Sequence, residues 1–114
     1  MFEIPRSLII LKPKQPFVDW LNDWGEEGKM ALEETFCDLD AILIPECDSE
    51  DETMAFVRAN ARKLFEHVLD DWCTDRSLWP LDLNYDKLRE WFDVEIHSSV
   101  FDGVEAESEQ WGHN

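Results

Sequence analysis

A stripe of apolar residues at helical spacing is the feature that most constrains the fold of this chain. Its members recur three or four residues apart: Met54, Val57, Ala61, Leu64, Phe65, Val68 and Trp72. The opposite face carries polar residues: Asn60, Lys63, His67, Asp70 and Asp71. This pattern predicts an amphipathic helix that lies on a core. Asp48 and Ser49 are suitable N-caps, so we expect one helix from about residue 50 to about Thr74.

Two short apolar runs and one alternating segment predict strands. Ser7–Leu11 precedes Lys12-Pro13, and Ala41–Ile44 is stopped by Pro45. Continuous apolar runs of this length are typical of buried strands. Residues 94–101 alternate between two sets of side chains, which predicts a third strand with one wetter face.

Two further helices are expected. Pro16 opens the first, which places Phe17 and Trp20 on one face together with Leu21 and Trp24. The second is shorter and runs over residues 85–92, with Asn84 or Asp82 as its cap. Residues 26–38 fit either a short helix around residues 30–35 or a loop.

The order of these elements predicts the fold class. Strands and helices follow as β-α-(α)-β-α-α-β, which favours a two-layer α/β domain with about three strands and three to four helices. An α+β arrangement is the alternative. We expect a single domain over residues 1–102 and a flexible acidic tail over 103–114. The first two strands are apolar on both faces, so we expect a homodimer to cover them, either packed sheet against sheet or exchanging helices.

The chain carries a large and uneven negative charge. Asp and Glu number 27 against 10 Lys and Arg, which gives a formal net charge of −17. Between Gln15 and Val57 there are 13 acidic residues, and Lys29 is the only Lys or Arg. A surface of this sign repels phosphate backbones, so we expect no direct binding to nucleic acid.

The apolar runs and the cysteines indicate the compartment. No apolar run approaches the length of a membrane span, and Leu8–Leu11 is too short for the apolar region of a signal peptide. Cys37, Cys47 and Cys73 are odd in number and widely spaced, which is typical of reduced thiols. We therefore expect no association with membranes and a cytoplasmic location.

An acidic body without a recognisable reaction motif favours a role in protein binding. Carboxylates steer a basic partner to the surface and make the binding sensitive to salt. We expect a non-enzymatic module that engages a basic protein, with DNA mimicry as one form of that role. The expected partner-binding residues are the acids of two segments: Glu46, Asp48, Glu50, Asp51, Glu52, Asp70, Asp71 and Asp75.

His67 and Asp71 supply the alternative function, a metal-binding protein or a metal-assisted enzyme. They are four residues apart, so on a helix they share a face and reach one ion. Further ligands must come from elsewhere, and His97 or Glu95 on the third strand is the candidate. The chain has no glycine-rich phosphate loop, zinc-protease motif or nucleophile elbow, and we expect no cofactor.

Tryptophan is frequent in this sequence, with 6 in 114 residues. Trp20, Trp24, Trp72 and Trp91 lie on apolar helix faces and are expected in the core. Trp79 stands in a connection and Trp91 near the end of a helix. These two are the candidates for an aromatic pocket that binds a small molecule.

The segment Arg89-Glu90-Trp91-Phe92, continued by residues 94–100, resembles the C-terminal signature of small bacterial proteins of unknown function. The resemblance covers a short part of the chain. It implies a bacterial cytosolic protein and carries over no site residue.

Overall fold

Residues 1–24 and 30–104 are described by a computed structural model of the chain, in which strands and helices alternate along the sequence. The strands are β1 (Phe2–Ile4), β2 (Arg6–Pro13), β3 (Ala41–Pro45), β4 (Phe92–His97) and β5 (Val100–Asp102). The helices are α1 (Gln15–Trp24), α2 (Glu50–Ala59), α3 (Ala61–Trp72) and α4 (Tyr85–Trp91). Short 3₁₀ helices cover Leu32–Phe36 and Arg76–Leu78.

β2 is the centre of the main sheet, and both of its neighbours run antiparallel to it. The order is β3-β2-β4, with Ile9 opposite Ile42 on one side and Ile96 on the other. Ile9 and Leu11 of β2 share one buried core with residues of the four helices. The predicted two-layer domain of mixed helices and strands is therefore confirmed.

The other face of the sheet is only partly covered. Leu8 and Ile10 on β2 are half-buried, and Leu43 beside them on β3 is 49% exposed. The apolar runs in β2 and β3 predict cover on both faces. Within residues 1–24 and 30–104, the helices bury the β2 side chains on one face of the sheet and leave those on the other face partly exposed.

The alternating segment 94–101 forms two strands rather than one. β4 pairs with β2, whereas β5 pairs antiparallel with β1 in a separate two-stranded sheet. The chain changes sheets at Ser98 and Ser99. The buried hydroxyl of Ser7 donates to the Ser98 carbonyl at 3.3 Å and accepts from the Cys47 amide at 3.0 Å, so it holds this corner in place.

The predicted long helix is interrupted at Asn60. This residue leaves the helical region with φ −118° and ψ 21°, and its side-chain amide donates to the Phe56 carbonyl at 3.0 Å. Asparagine side chains compete with the backbone for such hydrogen bonds, which makes them natural helix ends. The apolar stripe continues across the break, since Val57, Ala61 and Phe65 are all buried.

Aromatic rings at the centre of the core join α1, α3 and α4 to the sheet. The ring centroid of Phe17 lies 5.1 Å from that of Phe92 and 6.2 Å from that of Trp91. Phe65 on α3 meets the same two rings at 5.8 and 5.6 Å. Tilted and edge-on ring pairs of this kind add to the stabilisation from burial. They fix α3 with its polar face outward, beside the start of β3.

Over residues 1–24 and 30–104, no helix combines the length and the apolar content that crossing a membrane requires. The predicted tail lies outside the described part of the chain from residue 105 onward.

Candidate functional site

Three polar side chains meet where β3 begins beside α3, and we call them the Asp40–His67–Asp71 cluster. His67 and Asp71 lie one turn apart on α3, and Asp40 is the residue before β3. The His67 Nε2 atom is 3.0 Å from Asp40 Oδ2 and 4.0 Å from Asp71 Oδ2. One potential ligand atom from each residue lies within 4.8 Å of the others. All three side chains are about half exposed, so a solute reaches them directly.

The two carboxyl groups of the cluster titrate apart. A hydrogen bond from Asp71 and another from His67 lower the pKa of Asp40. The same contact with Asp40, together with burial and the like charge of Asp40, raises the pKa of Asp71. Two carboxyl groups this close repel each other when both are charged, so over part of the pH range they share one proton. Because its pKa is raised, Asp71 takes up this proton first as the pH falls, and its protonated carboxyl group then donates a hydrogen bond to Asp40.

Two clefts open on either side of the cluster. One, of about 310 Å³, lies between β2 and α3 and is lined by Leu11, Trp72 and both carboxyl groups. The other, of about 630 Å³, runs between β3 and the helices α2 and α3. Asp40 lines both clefts. The cluster is therefore reached from two directions.

His97 lies apart from this cluster. It projects from β4 beside Glu95, with its Nε2 atom 2.6 Å from Glu95 Oε2. Its backbone partner on β2 is Leu8, whereas the neighbouring Ile9 points into the core that α3 covers. Among the residues the structure describes, the cluster that contains His67 and Asp71 has Asp40 as its third member, and His97 is not part of it. The contact with His97 also lowers the pKa of Glu95.

The eight acids predicted to bind a partner lie in two groups. Glu46, Asp48 and the first-turn acids of α2 follow the end of β3, whereas Asp71 stands beside Asp40 at its start. Asp70 and Asp75 lie in the last turn of α3 and just beyond it. Since a strand advances about 3.4 Å per residue, the length of β3 separates the two groups by roughly 20 Å.

Within the described part of the chain, these acids have no Lys or Arg side chain within 4.0 Å of their carboxylates. In residues 1–24 and 30–104, the Lys and Arg side chains within 4.0 Å of a carboxylate contact Glu95, Asp93 and Glu66. None of the eight predicted residues is among them. Asp75 instead accepts hydrogen bonds from Ser77, which lower its pKa.

The two tryptophans predicted to line an aromatic pocket lie in the core. Trp79 and Trp91 are each 8% exposed. The Trp79 indole nitrogen donates to the Cys73 carbonyl at 2.8 Å, which satisfies its polar atom inside the protein. Trp91 packs on Phe17, Trp20 and Phe65.

Asp40 is the site residue that the sequence did not single out. Its signal was weak, because it is one of many acids in an acidic segment. Its position directly before the second apolar run was visible, but the packing of that strand beside α3 was not. Only the tertiary structure brings it to His67, which is 27 residues away in the sequence.

Comparison of the chain with models of protein families, with curated proteins and with solved structures finds no match. The function is therefore inferred from the cluster, the clefts and the distribution of charge.

We expect the carboxyl groups of Asp40 and Asp71 to titrate at clearly different pH values, Asp40 below its ordinary range and Asp71 above. As the pH falls, Asp71 takes up its proton first and Asp40 stays charged. Replacing Asp40 by Asn should bring the pKa of Asp71 down, because the like charge is lost and the amide donates to the remaining carboxylate. NMR titration of the side-chain carboxyl carbons measures both values.

Asp86→Asn, on α4, is the control and should leave both pKa values unchanged. Titration of Asp40 and Asp71 at the same pH in the unaltered chain would contradict the shared proton.

Proposed function

We propose that this protein is a non-enzymatic interaction module that binds a basic protein through its carboxylate-rich surface. The observation that supports this most is the lack of Lys or Arg partners around Glu46, Asp48, Glu50 and Asp51 in the described part of the chain. Unpaired carboxylates on a folded surface attract cations and raise association rates. We place this role in the cytoplasm, where the three unpaired cysteines stay reduced.

Part of the acidic surface also has a structural role. Ser49 caps α2 by accepting from the Glu52 amide at 3.2 Å, and the Glu52 carboxylate accepts from the Asp48 amide at 2.6 Å. Acids in the first turn of a helix also interact favourably with its dipole. Glu46, Asp48 and Glu50 make no such side-chain contact within the described residues, and their carboxylates face solvent.

An acidic cleft lies next to this surface. It measures about 260 Å³ and is lined by Glu3, Glu46 and Asp48 together with Ser98 and Ser99. Three carboxylates around one opening favour a Lys or Arg side chain. A basic side chain of the partner that enters this cleft is placed beside these carboxylates.

We expect the triple change Glu46→Gln, Glu50→Gln and Asp51→Asn to weaken binding of poly-L-lysine by about tenfold, since exposed pairs contribute about 0.2–1 kcal/mol each. Isothermal titration calorimetry at low salt measures the affinity. High salt should lower the affinity of the parent chain for poly-L-lysine more than that of the variant. Glu52 and Asp48 are left unaltered because their contact with each other supports the start of α2.

The matched control removes the same charge from α4 and the segment before it, with Asp82→Asn, Asp86→Asn and Glu90→Gln. If this control weakens binding as much as the first variant, net charge alone drives binding and the proposed surface is wrong.

We further propose that two copies associate through the partly covered face of the sheet. Leu8, Ile10 and Leu43 form an apolar patch there, and such patches commonly mark protein interfaces. Sedimentation velocity should show a dimer that Leu43→Glu converts to monomer. Leu81 is 95% exposed outside the sheet, so Leu81→Glu should leave the dimer intact. A parent chain that sediments as a monomer at all concentrations overturns this proposal.

Binding of a divalent transition metal is the second candidate function, and the Asp40–His67–Asp71 cluster favours it. One imidazole and two carboxylates are ligands that Zn²⁺ and Mn²⁺ accept, with water to complete the coordination. The residues fit such an ion because their ligand atoms already lie within 4.8 Å of one another. Because the pKa of Asp71 is raised, protons compete with a metal for this carboxylate, so binding should weaken as the pH falls.

We expect Zn²⁺ or Mn²⁺ to bind at neutral pH and to raise the thermal midpoint of unfolding, because an ion that binds the folded state stabilises it. His67→Ala and Asp40→Asn should each remove the shift. His97→Ala is the matched control and should retain it. Loss of the shift in both His67→Ala and His97→Ala, with the shift retained in Asp40→Asn, would favour the ligand set predicted from the sequence. A shift unchanged in His67→Ala would exclude the cluster.

A further inference from the structure

The cleft between β3 and the helix pair is a groove with a strand edge along one wall. Asp40, Ala41, Ile42 and Leu43 form the strand wall. The facing wall comes from residues at helical spacing on α2 and α3: Phe56, Asn60, Lys63, Leu64 and His67. With about 630 Å³ of space, the groove has room for several residues of an extended chain.

The strand wall offers backbone hydrogen bonds. β3 stands at the edge of the sheet, with β2 on one side and no described strand on the other. In an antiparallel pair, every second residue turns its N–H and C=O away from its neighbour. An edge of this kind is a template for another extended chain.

The helix wall sets which side chains such a chain should carry in its middle. Phe56 and Leu64 are apolar, and the half-buried Ile42 lies opposite them. Lys63 lies between Phe56 and His67 along the helices and is the cation among the described lining residues. A positive charge in the middle of the added chain is therefore unfavourable, whereas apolar and neutral side chains fit.

Both ends of the groove's strand are acidic. Asp40 and Asp71 stand at the start of β3, and Glu46 and Asp48 follow its end. Asp40 and Glu46 are six residues apart, which corresponds to about 20 Å along a strand. Asp71 from one of the two predicted groups of acids, and Glu46 and Asp48 from the other, thus lie near the two ends of one open strand edge.

We propose that a basic partner binds as an extended segment that adds a strand to β3, with a cationic residue at each end and uncharged residues between them. Backbone hydrogen bonds to the β3 edge hold the segment, and the spacing of the two acidic groups selects cations about six residues apart. This inference rests on the proposed binding of a basic protein and specifies the form that the partner takes.

A second copy of the chain is the less favourable occupant. Antiparallel pairing of β3 with another β3 brings the Asp40 end of one copy against the Pro45–Glu46 end of the other. Like charges placed opposite each other in a sheet destabilise it. A basic segment replaces this repulsion by attraction at both ends.

The test uses a capped synthetic peptide with the sequence Lys-Val-Thr-Val-Thr-Val-Lys and the full-length chain, in buffer with a metal chelator. Two further peptides carry N-methyl groups, one at the three Val residues and the other at the two Thr residues. An N-methyl group removes a backbone donor, and only one of the two sets faces β3. We expect one methylated peptide to bind at least about tenfold more weakly and the other to bind nearly as well as the parent peptide.

Variants of the protein locate the peptide. Asp40→Asn should weaken binding several-fold, and Asp82→Asn, which removes the same charge outside the groove, should not. A peptide with Glu in place of both Lys residues should not bind. Amide NMR signals of Ala41–Ile44 should shift on addition of the parent peptide, and the amides that point away from β2 should gain protection from hydrogen exchange.

The outcomes separate this inference from the function on which it rests. Equal binding of all three Lys-ended peptides overturns strand addition and leaves binding of a basic partner intact. Failure of both the peptides and poly-L-lysine to bind overturns both. Protection of the outward-facing β3 amides that grows with protein concentration in the absence of peptide, and that persists in Leu43→Glu, assigns the edge to a second copy and overturns the proposed occupant.

Discussion

The packing of Phe65 against Phe92 and Trp91 is the interaction on which the rest of this structure depends. It ties α3 to the sheet and, through Phe17, to α1. Once these rings are buried, the polar face of α3 has one possible direction, which is outward past the start of β3. The contact of His67 with Asp40, and the groove beside them, therefore follow from the packing of aromatic rings in the core.

Hydrophobic periodicity makes the main helices and strands predictable. Their boundaries are harder to predict, because they depend on hydrogen bonds made by single side chains. The stripe from Val57 to Trp72 and the runs in β2 and β3 follow directly from burial on one face. The break at Asn60 depends on one amide that bonds the Phe56 carbonyl, which no hydrophobic pattern records. The division of residues 94–101 depends on β1, whose three residues are too few to be recognised before their partner strand is known.

The candidate site was predicted in part for the same reason. His67 and Asp71 were found because helical spacing is local. Asp40 was not found, and His97 was favoured instead, because the choice between them depends on which strand lies beside α3. That choice is set by the order β3-β2-β4, a long-range property that the sequence alone left undetermined.

The charge of the protein has a second consequence for the sheet. An open strand edge invites aggregation between copies, and proteins commonly protect such edges with charge. Here the acids flank the edge instead of interrupting it. The ends of β3 place like charges against a second copy of the same chain, while between them, in the described part of the chain, the backbone groups that point away from β2 keep their hydrogen-bonding capacity.

The pairing of β1 with β5 has a practical consequence for handling this protein. Phe2 lies opposite Asp102, so the first and last described strands leave the body side by side. Glu3 in β1 lines the acidic cleft together with Glu46. An affinity tag fused to the N-terminus therefore emerges next to this cleft, and a polyhistidine tag would place its imidazoles among the carboxylates. A cleavable tag, removed after purification, leaves the carboxylates of the cleft without these added imidazoles.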